Sequence, residues 1–190
     1  MTRIFPAILF LALSANTFAG VSVSPTTVGF TSSGMQQIRV KNTGDADMIY
    51  KFKLMTWSLE QKSKDILIFP PVSKLRPGEV QVLRIAVRTP NKVSENAYRL
   101  VIESADKQFT IRIPIFVNLH KKQHKLRAEK TERGLLLTNT GQAHVKITGM
   151  DRGGTVRGQL LYLLAGQSKL LDDGNDISAI ITTEKTYAIY

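Results

Sequence analysis

Apolar and polar residues alternate with a period of two along most of this chain. Ile38 and Val40 alternate with Gln37, Arg39 and Lys41, and Tyr50, Phe52 and Leu54 with Lys51 and Lys53. Leu83, Ile85 and Val87 alternate with Arg84 and Ala86, and Tyr98, Leu100 and Ile102 with Arg99, Val101 and Glu103. Turn chemistry separates most of these short runs: Asn42-Thr43-Gly44-Asp45, Pro70-Pro71, Pro77-Gly78 and Pro90-Asn91. No stretch sustains a helical period. Many short, half-buried strands at this spacing predict an all-β chain of immunoglobulin-like sandwich type.

The pattern also repeats. Ile38-Arg-Val-Lys-Asn-Thr-Gly-Asp-Ala-Asp-Met48 resembles Leu135-Leu-Leu-Thr-Asn-Thr-Gly-Gln-Ala-His-Val145, each a strand, an Asn-Thr-Gly turn and a strand. Asn42 and Asn139 lie 97 positions apart, about the length of one immunoglobulin-like domain. A chance likeness around a common turn tripeptide is the alternative. Read as a duplication, the repeat predicts an N-terminal domain over residues 20–119, a basic linker over 120–125 and a second domain over 126–190. The second stretch is short for seven strands, so that domain is expected to be abbreviated and to lean on its neighbour.

Residues 1–19 read as an export signal. Arg3 supplies a positive start, residues 4–13 form an apolar run, and Thr17 and Ala19 put small side chains where a signal peptidase inspects them. A run that short cannot cross a hydrocarbon core needing about twenty apolar residues, and no later stretch is apolar enough to span one. The chain has no cysteine, which excludes thiol nucleophiles, thiolate metal sites and disulfides. Its formal charge is +11, one less once Arg3 leaves with the signal. Such a surplus favours acidic partners; for an exported chain an acidic protein or a carboxylate fits better than nucleic acid.

Candidate chemistry is sparse. His120 and His124 are four apart but sit among lysines, which would repel a cation, so they read as a solvated basic linker. Asp172-Asp173-Gly174-Asn175-Asp176 lacks the ligand alternation of a calcium loop and reads as a polar turn. The glycine- and arginine-rich segment 149–158 has no P-loop lysine and reads as a flexible hairpin loop. No serine triad or paired-carboxylate site is present, so the chain is expected to be no enzyme and to need neither metal nor cofactor.

One segment stands apart. Over residues 109–119, Phe109, Ile111, Ile113, Ile115, Val117 and Leu119 face one way, and Thr110, Arg112, Pro114, Phe116 and Asn118 the other. Pro114 lacks an N–H and favours an edge strand. A long apolar edge recruits other chains, so this strand either fills its own core or is added to a partner's open sheet.

Taken in order, these residues resemble a known family. A proline-led first strand (residues 23–30), the Asn42-Thr43-Gly44 turn, Phe69-Pro70, residues 75–85, residues 98–103 and Ile113-Pro114-Ile115-Phe116-Val117 are similar to the PapD-like periplasmic chaperones of the chaperone–usher pathway, especially the archaic or alternative branch. The likeness covers residues 21 to about 120 well and the second domain loosely. It implies two immunoglobulin-like sandwiches in an L-shaped arrangement, the second abbreviated, located in the periplasm. It further implies that pilus (fimbrial) subunits are stabilised by donor-strand complementation and passed to an outer-membrane usher. The donor strand would be carried by Phe109, Ile111, Ile113, Ile115 and Val117. Basic residues in the cleft between the domains would hold the subunit's terminal carboxylate. The arginine usual on the first strand falls at Thr27 here; by the same resemblance Lys121 and Lys122 fall near the family's cleft lysine, and Arg99 is the candidate for the missing arginine. On this reading Ile113→Asp should abolish capture of the partner and leave the free protein folded. The sequence leaves open whether the free protein caps itself as a dimer. The alternatives are a structural or adhesive immunoglobulin-like surface or pilus protein, with an open groove and a free donor segment, and a polyanion-binding module.

Overall fold

A computed structural model describes residues 20–63, 65–87, 95–117 and 123–189. The signal expected at 1–19 and residues 120–122 of the expected linker lie outside the described residues. Apart from one 3-10 turn, Gly174–Asp176, all the regular structure of the described residues is strand.

The N-terminal sandwich has two facing sheets. One runs in the order β1 (Val21–Ser24), β3 (Gly34–Asn42), β7 (Val80–Val87), β5 (Ile66–Phe69). The other runs β2 (Val28–Phe30), β9 (Thr110–Val117), β8 (Asn96–Ser104), β4 (Met48–Thr56), β6 (Val72–Leu75). The alternation seen in the sequence decides what lies between them: Ile38, Val40, Tyr50, Phe52, Leu54, Leu83, Ile85, Val87, Tyr98, Leu100 and Ile102 are all buried in one cluster. Each such side chain withdrawn from water contributes roughly 1.5–3 kcal/mol before the entropy of ordering is subtracted.

The second sandwich carries seven strands in two sheets. One is β10 (Leu126–Thr131), β11 (Gly134–Asn139), β14 (Ser168–Leu171); the other is β13 (Thr155–Leu163), β12 (Val145–Arg152), β15 (Ile177–Thr182), β16 (Thr186–Ala188). It has its own buried cluster, from Leu126 to Ile180. Among the described residues, the short second stretch thus holds seven strands, two fewer than the first sandwich. Residues 149–158 are not a loop. β12 and β13 pair through them, Gly149 opposite Gly158, and only Gly153 and Gly154, at φ 57° and 85°, make the turn. Asp173 and Asp176 take Arg152 as their partner.

The two Asn-Thr-Gly turns are built alike. Asn42 and Asn139 are both fully buried. The Asn42 amide donates to the carbonyls of Ala46 (2.8 Å) and Leu75 (3.0 Å), and its Oδ1 accepts the Gly44 N–H (3.0 Å). Asn139 donates to Ala143 and Leu163 (both 2.8 Å) and accepts from Gly141 (2.9 Å). A side chain so satisfied ties a turn to a strand distant in sequence, which accounts for the same tripeptide standing in both halves. A Cβ on Gly141 would run into the backbone of Gln123 and Lys125, so the second turn needs a glycine there.

Tyr98 offers a test of the first core. Its hydroxyl donates to Asp65 (3.1 Å), and burial first, then that bond and the carboxylate's charge, raise its pKa to about 12. A folded-state pKa raised above the unfolded value of about 10 gives stability that is complete below pH 10 and is lost as pH climbs through 12. The loss should be on the order of 2–3 kcal/mol. Urea unfolding of Tyr98→Phe at pH 9 and above should show a slope against pH shallower than wild type by that amount; identical slopes would contradict the assignment.

Candidate functional site

Strand β9 is where the sequence expectation and the fold meet, and they agree only in part. Ile113, Ile115 and Val117 are buried in the chain's own first core, with Ile115 fully enclosed. Phe109 and Ile111 are half-buried against the same cluster. Three of the five residues expected to carry the donor strand thus fill this chain's own core. A period-two pattern supplies one apolar face, and the facing sheet of the same sandwich claims most of it.

The edges of β9 differ from each other. On one side it pairs antiparallel with β8 along its whole length, from Thr110 opposite Glu103 to Val117 opposite Asn96. On the other, β2 runs parallel beside Ile115, Phe116 and Val117 only. Among the described residues, 110–114 have no strand on that side. Pro114 falls inside this open stretch, where a missing N–H costs little. The open stretch begins abruptly, because the Ser104 hydroxyl accepts the Phe109 N–H (3.2 Å) and closes a tight turn before Thr110.

Beside that edge is a cavity of about 600 Å³. It exists because the chain starts in one sheet, as β1 beside β3, and crosses to the other only at β2. Val21, Val23 and Thr27 form one wall, and Ile111, Arg112 and Pro114 of β9 a second. Trp57 and Arg99 close one side, and Lys146, Leu160, Leu161 and Tyr162 come from the second sandwich. The cleft thus combines an apolar lining with three cations. Arg99 lies over the Trp57 ring, its guanidinium carbon 4.3 Å from the centroid. Burial first, and the like charge of Arg112 second, lower its pKa; it stays charged at neutral pH. Among the described residues, Arg99, Arg112 and Lys146 have no carboxylate partner. Thr27 sits in the cleft wall with its hydroxyl 3.3 Å from that of Tyr162.

A joint between the sandwiches holds these walls in place. Phe116, almost fully buried, stacks on His144 (centroids 3.4 Å apart, planes 7° apart) and lies 5.8 Å from Trp57 and 5.6 Å from Tyr162. The buried Glu95 carboxylate accepts the His144 backbone N–H (3.0 Å) and meets its Nδ1 (2.9 Å). His124 is no solvated linker residue: it is half-buried, with its Nδ1 against the His144 carbonyl and Glu184 3.8 Å away. Of the expected anchors, Arg99 lines the cleft, and Lys121 and Lys122 lie outside the described residues. The sequence reading passed over Trp57, Arg112, Lys146 and Tyr162, which nothing in a local pattern separates from ordinary strand residues.

Comparison with known proteins bears on fold and family. No curated protein is similar enough in sequence to count as a relative. The fold is similar to that of the Escherichia coli chaperone DraB (18% identity, TM-score 0.70, covering 90% of this chain and 96% of that one). It is also similar to a structure of Salmonella enterica SafA pilin in complex with the SafB chaperone (16%, 0.69, 92% and 99%). A third likeness is to the CsuC–CsuE chaperone–tip adhesion subunit complex of the archaic Csu pili of Acinetobacter baumannii (20%, 0.63, 80% and 90%). At these identities the likeness establishes a shared fold of two immunoglobulin-like sandwiches. Sequence adds a family likeness, to assembly chaperones and not to enzymes: residues 20–109 match the pili and flagellar-assembly chaperone family in its PapD N-terminal domain.

Proposed function

We propose that this protein is an exported periplasmic chaperone that holds pilus subunits on the open edge of β9 and in the adjoining cleft, then delivers them to an outer-membrane usher. On this reading residues 1–19 are removed on export, 20–119 form the capturing domain, 120–125 the linker and 126–190 the second domain. The observation that carries it is the meeting of two unmet needs in one place. Among the described residues, 110–114 have no strand partner on their open side, and Arg99, Arg112 and Lys146 stand beside them without a carboxylate. An extended chain that ends in its own carboxylate answers both: its backbone pairs with the edge, and its terminus neutralises the cations.

The contribution of β9 on this reading is mainly its backbone. Phe109 and Ile111, half-exposed at the open end, supply apolar contact to the subunit; Ile113, Ile115 and Val117 keep the strand rigid by filling the first core. The complexes named above, chaperones with a pilin or a tip subunit, favour the same class of partner.

The test is co-production with a pilus subunit that lacks its final strand. The subunit should be soluble and co-purify with this chain from a periplasmic extract, and should aggregate or be degraded without it. A subunit equally soluble alone, with none retained by the chain, would refute the proposal.

A further inference from the structure

The second sandwich adds one exposed apolar side chain to the cleft from its edge strand. Among the described residues, β13 is the outer strand of its sheet and pairs with β12 alone. Its register runs Ile147 opposite Leu161, then Gly149 opposite Gly158. Two residues of β13, Gln159 and Leu160, therefore oppose the single Thr148. The irregularity falls beside Leu160, which lies on the face opposite Leu161, as strand alternation gives. Leu161 and Leu163 pack toward their own core, whereas Leu160 is 66% exposed and stands in the cleft wall beside Lys146 and Tyr162.

We propose that Leu160 is a specificity-determining contact of the second domain, covering an apolar side chain close to the C-terminus of the bound segment. This rests on the reading of the cleft as the seat of a terminal carboxylate, and the occupant follows from what surrounds Leu160. Arg99, Arg112 and Lys146 fix the charged end of the ligand. Leu160 is continuous with the apolar lining of the same cavity, which Ile111 supplies from the first domain. A chain whose last residues are apolar satisfies both; a polar terminus would leave Leu160 in contact with polar groups.

The test uses a synthetic peptide of alternating valine and serine with a free C-terminal carboxylate, and the same peptide as its amide, titrated by calorimetry. Leu160→Ser should weaken binding of both peptides by the same factor, roughly tenfold, as expected for one lost apolar contact. Val156→Ser, on the same strand and 60% exposed but away from the cleft, should bind both as wild type does. Both positions are exposed, so both variants should keep the wild-type urea midpoint. Undiminished binding by Leu160→Ser, an equal loss in Val156→Ser, or no binding of either peptide to the wild-type chain would overturn the proposal. The wild-type difference between acid and amide reads the anchor separately: its absence alongside a Leu160→Ser loss would remove the carboxylate reading and leave the Leu160 contact standing.

Discussion

Ile113→Asp should unfold the N-terminal sandwich instead of giving a folded protein that cannot capture its partner. Ile113 is 2% exposed and packs in the first core opposite Leu100. Losing an isoleucine from such a site costs about 2–5 kcal/mol through lost burial and the cavity left behind. The carboxyl group adds to this, because it must either protonate or remain charged without a partner. The sum approaches the whole stability of an ordinary domain, about 5–15 kcal/mol. A urea melt should show the transition of the first sandwich shifted to near zero denaturant, with core amides exchanging freely. A variant that melts like wild type would mean that Ile113 leaves this core easily, and the strand would then regain the role of a lent set of plugs.

Arg99→Glu should have the largest effect on binding while sparing the fold. Arg99 is half-exposed, has no ion pair to lose among the described residues, and is crowded by Arg112, whose charge helps to lower its pKa. Removing it relieves a repulsion within the free protein. In the complex the same change removes a charge-assisted bond worth about 1.5–3 kcal/mol and sets a carboxylate against the ligand's own, so capture should weaken roughly a hundredfold. Trp57 helps to set the site's geometry, since the ring beside the guanidinium limits the freedom it must lose on binding.

Much of the fold was legible because alternation is local. Ile38, Val40, Tyr50, Phe52, Leu83, Ile85, Leu100 and Ile102 face inward as their spacing requires, and the Asn42 and Asn139 repeat marks two turns with the same hydrogen bonds. What alternation cannot say is which apolar face belongs to the chain itself and which to a partner, and that is why the pattern of β9 left two readings open. Phe116, placed by pattern on the outer face, is buried by the second sandwich, a consequence of domain packing that no strand pattern contains. Arg112 and Lys146 look like any charged strand residues until their sheets are brought face to face. The irregular pairing of β12 and β13 did leave a trace, the glycines at 149 and 158 that stand opposite each other beside it, the signature of close backbone approach in a strand. Read as loop glycines, they concealed an edge strand.

The central claim is that the cleft beside residues 110–114 receives a chain end through its carboxylate. The most direct measurement compares a peptide copying the C-terminal strand of a pilus subunit, as free acid and as amide, for affinity to the wild-type chain and to Arg99→Glu. The account predicts that wild type prefers the acid by at least tenfold, about 1.4 kcal/mol, and that Arg99→Glu binds the two alike and weakly. Equal affinity of wild type for acid and amide would contradict it.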